Sequence, residues 1–134
     1  MTSNHTIVMI VDDDDSIRKA VRRLMKSYGF AVETFASAEE FLGSNRLDKT
    51  ACLILDVHMP GMNGLELQKH LVTSGCAIPI IFITAFADDG ARAQATEAGA
   101  VGYLAKPFGE EELLDCIHAA LRHQGRDASK TRQP

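Results

Sequence analysis

The stretch Leu53–Gly64 reads LILDVHMPGMNG, and it decides how the rest of the chain is organised. Cys52-Leu53-Ile54-Leu55 is an unbroken apolar run that stops at a carboxylate, Asp56, and then breaks into a loop containing Pro60 and Gly61. An apolar run of this length, bounded by turn residues, has the pattern of a parallel strand buried on both faces. Such a strand gains nothing in packing from a terminal Asp. A carboxylate there caps a loop or does chemistry at the strand's carboxyl end, where open α/β sheets hold their ligands.

Outward from this strand, the same grammar repeats. Ile7–Val11 is a β-branched, apolar strand that runs into four acids, Asp12 to Asp15. Residues 16–28 place Ile17, Val21, Leu24, Met25 and Tyr28 at helical spacing, with Arg18, Lys19, Arg22 and Arg23 opposite, and Gly29 stops the helix. Ala31–Phe35 reads as a short strand, and Ser37 with Glu40 matches a capping box opening a helix through Leu42. Residues 43–50 read as a polar connection.

Beyond the loop, Asn63 and Glu66 form a second capping-box pattern ahead of Leu65, Leu67 and Leu71. Pro79 heads an apolar strand, Ile80–Ile83, where its missing N–H costs least, and the strand ends at Thr84. Asp88–Ala98 is a helix of small and charged residues with little bulk to anchor it. Val101–Ala105 is a last strand, followed by Lys106-Pro107. Glu110, Glu111 and Glu112 then suit a helix N-terminus, with Leu113, Leu114, Ile117 and Leu121 as its apolar stripe. Five strands alternating with five helices predict an α/β fold, a parallel sheet covered on both faces. One domain is expected over residues 1–123. Residues 124–134 are polar and basic, and are expected to be a disordered tail or the start of a linker.

Composition narrows the function classes. A chain of 134 residues with 46% hydrophobic and 24% charged residues can bury one independent core. Its net charge of −4 argues against direct nucleic-acid binding, which wants a basic face. Cys52, Cys76 and Cys116 are odd in number and show no metal-ligand or redox spacing, so they read as reduced thiols. The apolar run near the N-terminus, Thr6–Val11, is too short for a signal segment or a membrane span. The expectation is a soluble, cytoplasmic protein with no membrane partner.

The strand ends carry the chemistry. In a parallel sheet the carboxyl ends share one edge, so Asp12 and Asp13, Asp56, Thr84 and Lys106 are expected to meet there, while the second strand, ending in Phe35-Ala36, offers nothing. Each of these residues alone would pass as ordinary surface; four of five strands ending this way would not. Clustered carboxylates need a cation, and acid-only ligation with open positions suits Mg²⁺. A carboxylate can also act as a nucleophile toward phosphorus, given in-line positioning and neutralised phosphoryl oxygens. The Lys106 ammonium and the Thr84 hydroxyl could each serve one of those oxygens.

This constellation resembles the receiver domain of two-component response regulators, the CheY-like family. The resemblance covers about residues 6–122 and rests on IVDD (Ile10–Asp13), LDVHMPGMNG (Leu55–Gly64), IFITA (Ile81–Ala85) and YLAKPF (Tyr103–Phe108). SAEEFL (Ser37–Leu42) and MPGMNGLELQ (Met59–Gln68) look most like the FixJ branch, whose full-length members carry a DNA-binding domain after the receiver. The resemblance implies a three-layer, doubly wound, flavodoxin-like sheet of strand order 2-1-3-4-5. It implies Asp56 as phosphoacceptor and Asp12 and Asp13 as the acidic pair for Mg²⁺, with Asp13, Asp56 and the backbone carbonyl of His58 as direct ligands. It also implies a cis Lys106–Pro107 bond, and Thr84 with Tyr103 as a switch pair acting on a surface formed by the fourth helix, fifth strand and fifth helix. The donor would be a sensor histidine kinase.

On this reading the chain is a signalling module and an enzyme only toward its own phosphorylation. A stand-alone receiver is expected, against the alternative of the receiver piece of a FixJ-like transcription factor. The downstream effector is not named by the sequence, and a phosphorylation-dependent homodimer is one candidate output. His58 and Phe86 flank the path of a hydrolytic water. His58 is assigned no base role, and bulky Phe86 is expected to slow phosphoryl loss. A phosphatase with an aspartyl-phosphate intermediate would want an Asp where His58 stands. A flavodoxin-like FMN binder would want a Ser/Thr/Gly-rich loop where four aspartates follow the first strand.

Overall fold

The computed structural model describes the backbone of residues 7–132 and the side chains of residues 7–122. Strands β1 (Ile7–Val11), β2 (Ala31–Phe35), β3 (Thr50–Asp56), β4 (Ile80–Thr84) and β5 (Gly102–Ala105) pair in parallel in the order β2-β1-β3-β4-β5. Helices α1 (Asp15–Ser27), α2 (Ala38–Leu42), α3 (Gly64–Thr73), α4 (Asp89–Glu97) and α5 (Glu110–Arg132) alternate with them. This is the doubly wound α/β sheet, and the strand order reverses between β1 and β3.

Side-chain polarity explains which strands lie inside. β3 and β4 are buried along their whole length and β1 at every position but its first, whereas β2 and β5 form the edges and are only partly covered. Because alternate residues face opposite sides of a strand, the central strands feed two cores. Met9, Val11, Leu53, Leu55 and Phe82 pack with Phe41, Leu67, Leu71 and Ala95 of α2, α3 and α4. Val8, Ile10, Ile54, Ile81 and Ile83 pack with Val21 and Met25 of α1 and with Leu113 and Ile117 of α5. Each fully buried aliphatic or aromatic side chain of this kind contributes about 1.5–3 kcal/mol relative to exposure.

Several local expectations are corrected. Tyr28 does not join the apolar stripe of α1: it is 49% exposed, and its hydroxyl donates to the Glu110 carboxylate at 3.2 Å. It follows the last turn of α1, where the chain is already leaving the core. Ser37 caps α2 by accepting the Glu40 N–H, but Glu40 reaches back to the N–H of Ala36 instead of Ser37, so the box is not reciprocal. Asn63 and Glu66 do form the reciprocal box. The connection before β3 contains a 3-10 turn, Leu47–Lys49, and β3 begins at Thr50. The helical backbone of α5 continues through Arg132. No proline intervenes before Pro134, and a single Gly125 costs a helix only about 1 kcal/mol relative to Ala.

The register then brings the strand ends level. Val11 pairs with Leu55 and with Phe35, Asp56 with Ile83, and Thr84 with Ala105. The next residues of β1 and β5, Asp12 and Lys106, therefore emerge on either side of Asp56 and Thr84.

Candidate functional site

The floor of the site is built by residues that the sheet itself holds. Asp12 is fully buried; its N–H donates to the Phe35 carbonyl and its Oδ1 accepts the Asp14 N–H at 2.9 Å. Asp14 in turn caps α1, accepting the N–H groups of Ser16 and Ile17. Asp15, in the first turn of α1, pairs with Arg18 and Lys19, and these cations hold its carboxyl below the usual carboxylate range. Arg18, expected on the solvent side, turns back, and its Nη1 donates to the backbone carbonyl of Asp12 at 2.7 Å. The acid run thus divides its labour, and only Asp13 is left exposed with no helix-start duty.

Asp56 ends β3 and is 5% exposed. The start of α3 packs directly on it: a Cβ at Gly64 would collide with the Asp56 carbonyl oxygen, so only glycine allows this approach. Asp56 Oδ1 accepts the His58 N–H at 3.4 Å. Lys106 Nζ donates to Asp12 Oδ2 at 3.2 Å and stands 3.9 Å from Asp56 Oδ1. The Lys106–Pro107 peptide is cis, and the Lys106 N–H donates to the Thr84 carbonyl at 2.7 Å. Burial, followed by the Asp12 carboxylate, pushes the Asp56 carboxyl up to about 6; Lys106 and the His58 N–H oppose this, and Asp13 adds to it.

Above this floor opens a cleft of about 300 Å³ lined by Asp13, Asp14, Asp56, His58, Ala85, Phe86 and Lys106. Asp12 and Thr84 do not line it; both are fully buried beneath. Thr84 Oγ1 accepts the Phe86 N–H at 3.1 Å, which leaves its own proton free for another acceptor. Phe86 is 72% exposed, and its ring meets that of His58 edge-on with centroids 5.9 Å apart. Tyr103 lies behind, its ring 6.3 Å from that of Phe82 and under the Arg92 guanidinium at 5.3 Å. Its hydroxyl is buried with no hydrogen-bond partner among the described residues.

One carboxylate oxygen from each of Asp12, Asp13 and Asp56 can lie within 4.8 Å of the others. Three hard anionic oxygens with an open side facing the cleft fit Mg²⁺, and do not fit metals that prefer imidazole or thiolate. Lys106 supplies one cation against three carboxylates, so the cluster remains short of positive charge. Ala85 and Arg18 were missed by sequence reasoning. Alanine has no chemical signal, and the turn-back of Arg18 depends on where β1 ends in space.

Comparison with known proteins agrees with this geometry. The response regulator receiver domain matches residues 8–118. The response regulator protein TodT of Pseudomonas putida is 44% identical over 122 residues, covering 91% of this chain and 54% of TodT. The transcriptional regulatory protein FixJ of Azorhizobium caulinodans is 36% identical over 126 residues, covering 94% of this chain and 58% of FixJ. The solved structure of the response regulator StyR superposes with a TM-score of 0.86 at 45% identity, over 94% of this chain and 65% of that one. The chain therefore spans little more than half the length of these curated relatives. Sheet order, strand-end acids and family match converge: the chain belongs to the response regulator receiver domains of two-component phosphorelay signalling.

Proposed function

We propose that Asp56 is the phosphoacceptor and that the chain is a phosphorylation-controlled signalling module whose donor is the phosphohistidine of a sensor kinase. The observation that carries this reading is the position of Asp56: a buried carboxylate at the floor of an open cleft, with Lys106 3.9 Å away and acids on its other side. An Asp56 Oδ attacks phosphorus, the P–N bond to the donor imidazole breaks, and its electron pair returns to the ring nitrogen, which takes up a proton. Lys106 leaves its position near Asp12 and Asp56 only slightly to meet a phosphoryl oxygen. The Thr84 hydroxyl donates to another through the proton that its bond from the Phe86 N–H leaves free. Asp12, Asp13 and Asp56, with the backbone carbonyl of His58, would hold Mg²⁺, which supplies charge neutralisation on the phosphoryl group.

Movement of Thr84 leaves room behind it, and the unpartnered Tyr103 hydroxyl is the group placed to respond. The response would act on α4, β5 and α5, since Arg92 of α4 covers the Tyr103 ring. The test is incubation of wild type and Asp56→Asn with Mg²⁺ and acetyl phosphate. A hydroxylamine-sensitive label on wild type alone supports the reading; equal labelling of Asp56→Asn defeats it.

Two readings of the output stand apart. A stand-alone receiver is one, with a phosphorylation-dependent homodimer as its candidate output. The second, the receiver portion of a longer transcriptional regulator, is favoured by the length of relatives such as FixJ. Size-exclusion chromatography with and without acetyl phosphate tests the first output, and the extent of the native reading frame tests the second.

A further inference from the structure

We infer that Glu39, on α2, is a positioning residue for the loop that carries the His58 carbonyl, and so for metal binding; this rests on the phosphoacceptor reading above. The second βα unit puts no polar residue at its strand end, and by sequence it contributes nothing to the site. Tertiary structure gives it a role. Glu39 Oε2 accepts the N–H of Met62 at 3.0 Å, across 23 residues of chain. Gly61 has φ +74, and a Cβ there would lie 2.8 Å from the same Glu39 oxygen. The carboxylate therefore sits directly on the left-handed turn of the loop.

The loop's two ends are secured by other means. Val57 donates to the Ile83 carbonyl and Gly64 to the Val57 carbonyl, while Asn63 N–H is taken by Glu66. Between buried Met59 and Asn63, Glu39 is the outside side chain that hydrogen-bonds the loop among the described residues. Glu39 itself is on a firm base: Ser37 caps α2, and buried Phe41 packs edge-on against Phe35 at 5.4 Å. A loop held in shape before the cation arrives loses less freedom on binding, which is how outer-shell partners raise metal affinity.

The experiment is calorimetric titration of the full chain with Mg²⁺, beside amide hydrogen exchange and urea unfolding without metal. Outer-shell losses reach 10–100-fold in buried sites; for this exposed carboxylate Glu39→Ala is expected to weaken Mg²⁺ by about 3–10-fold. It should also speed exchange at the Met62 amide and leave the urea midpoint nearly unchanged. Glu39→Gln keeps an acceptor for Met62 and should stay within about twofold of wild type. Gly61→Ala, which displaces the carboxylate, should shift Mg²⁺ affinity in the same direction as Glu39→Ala. Wild-type affinity in Glu39→Ala, or equal weakening in the Ala and Gln variants, overturns the inference. Labelling of wild type at Asp56 is run in parallel. If it succeeds while Glu39→Ala binds Mg²⁺ normally, the Glu39 role alone fails; if wild type is not labelled, the phosphoacceptor reading fails.

Discussion

Lys106 is hydrogen-bonded to Asp12, at 3.2 Å, whereas it meets Asp56 only as a longer ion pair at 3.9 Å. The ammonium compensates the deepest carboxylate of the cluster and remains within easy reach of the shallower one. Removing it leaves Asp12 fully buried and unpaired. Lys106→Met should therefore destabilise the metal-free protein by about 2 kcal/mol and slow labelling of Asp56 by about 100-fold. Urea unfolding and acetyl-phosphate kinetics check the two effects separately, and added Mg²⁺ should restore part of the stability.

Asp56 holds its proton more tightly when folded, its carboxyl lying near 6 against 3.8 in the unfolded chain. The stability this represents is fully present below pH 3.8 and is lost as pH rises through about 6, so the ionised group weakens the metal-free fold at neutral pH. Asp56→Asn should raise the metal-free Tm at pH 7.5 by about 3–8 °C, and the gap should shrink to about half at pH 5 and close only as pH falls below 3.8. Thermal melts across that range would reveal it, and a lower Tm for Asp56→Asn would contradict the account.

Phe86 and His58 meet edge-on at the mouth of the cleft, where water must pass to reach an acyl phosphate. Opening that contact with a polar side chain admits water. The phosphorylated half-life of Phe86→Asn is expected to fall about 3–10-fold through lost water exclusion, with labelling otherwise retained. Decay of the isolated phosphoprotein measures it directly.

Gln68 is buried on α3, and its Nε2 donates to the Ala95 carbonyl of α4 at 3.0 Å. With only Ala91 and Ala95 buried, α4 has little else to hold it. Gln68→Leu should cost about 1–2 kcal/mol, since Ala95 keeps the Ala100 N–H as a partner. Hydrogen exchange should quicken in α4 and stay unchanged in β1 and β3.

Gly64 tolerates no side chain. Gly64→Ala sets a Cβ against the Asp56 carbonyl and should destabilise the fold by about 3–5 kcal/mol, or prevent folding. Gly43→Ala, whose Cβ meets only ordinary contacts, is the control and should stay within about 0.5 kcal/mol of wild type. Denaturation midpoints of the two variants separate close packing at Asp56 from a general intolerance of alanine.

The chain's own patterns determined most of the sheet and the acids at its edge. Apolar runs such as Ile7–Val11 and Leu53–Leu55 have no low-energy place except a buried parallel strand, so a carboxylate at the end of each stands out. Turn chemistry at Asn63 and Gly29 was equally legible, because caps and left-handed turns act within a few residues. Tertiary structure alone decided the rest. The bonds from Arg18 to the Asp12 carbonyl, from Glu39 to Met62 and from Gln68 to Ala95 join groups whose meeting depends on how helices settle on the sheet. Nor could the sequence separate the acids that line the cleft from those beneath it: Asp12 and Asp13 are neighbours in the chain, yet one is sealed in the floor and the other faces solvent. Local sequence records burial period and turn propensity, whereas side-chain depth and long-range hydrogen bonds exist only once the layers have packed.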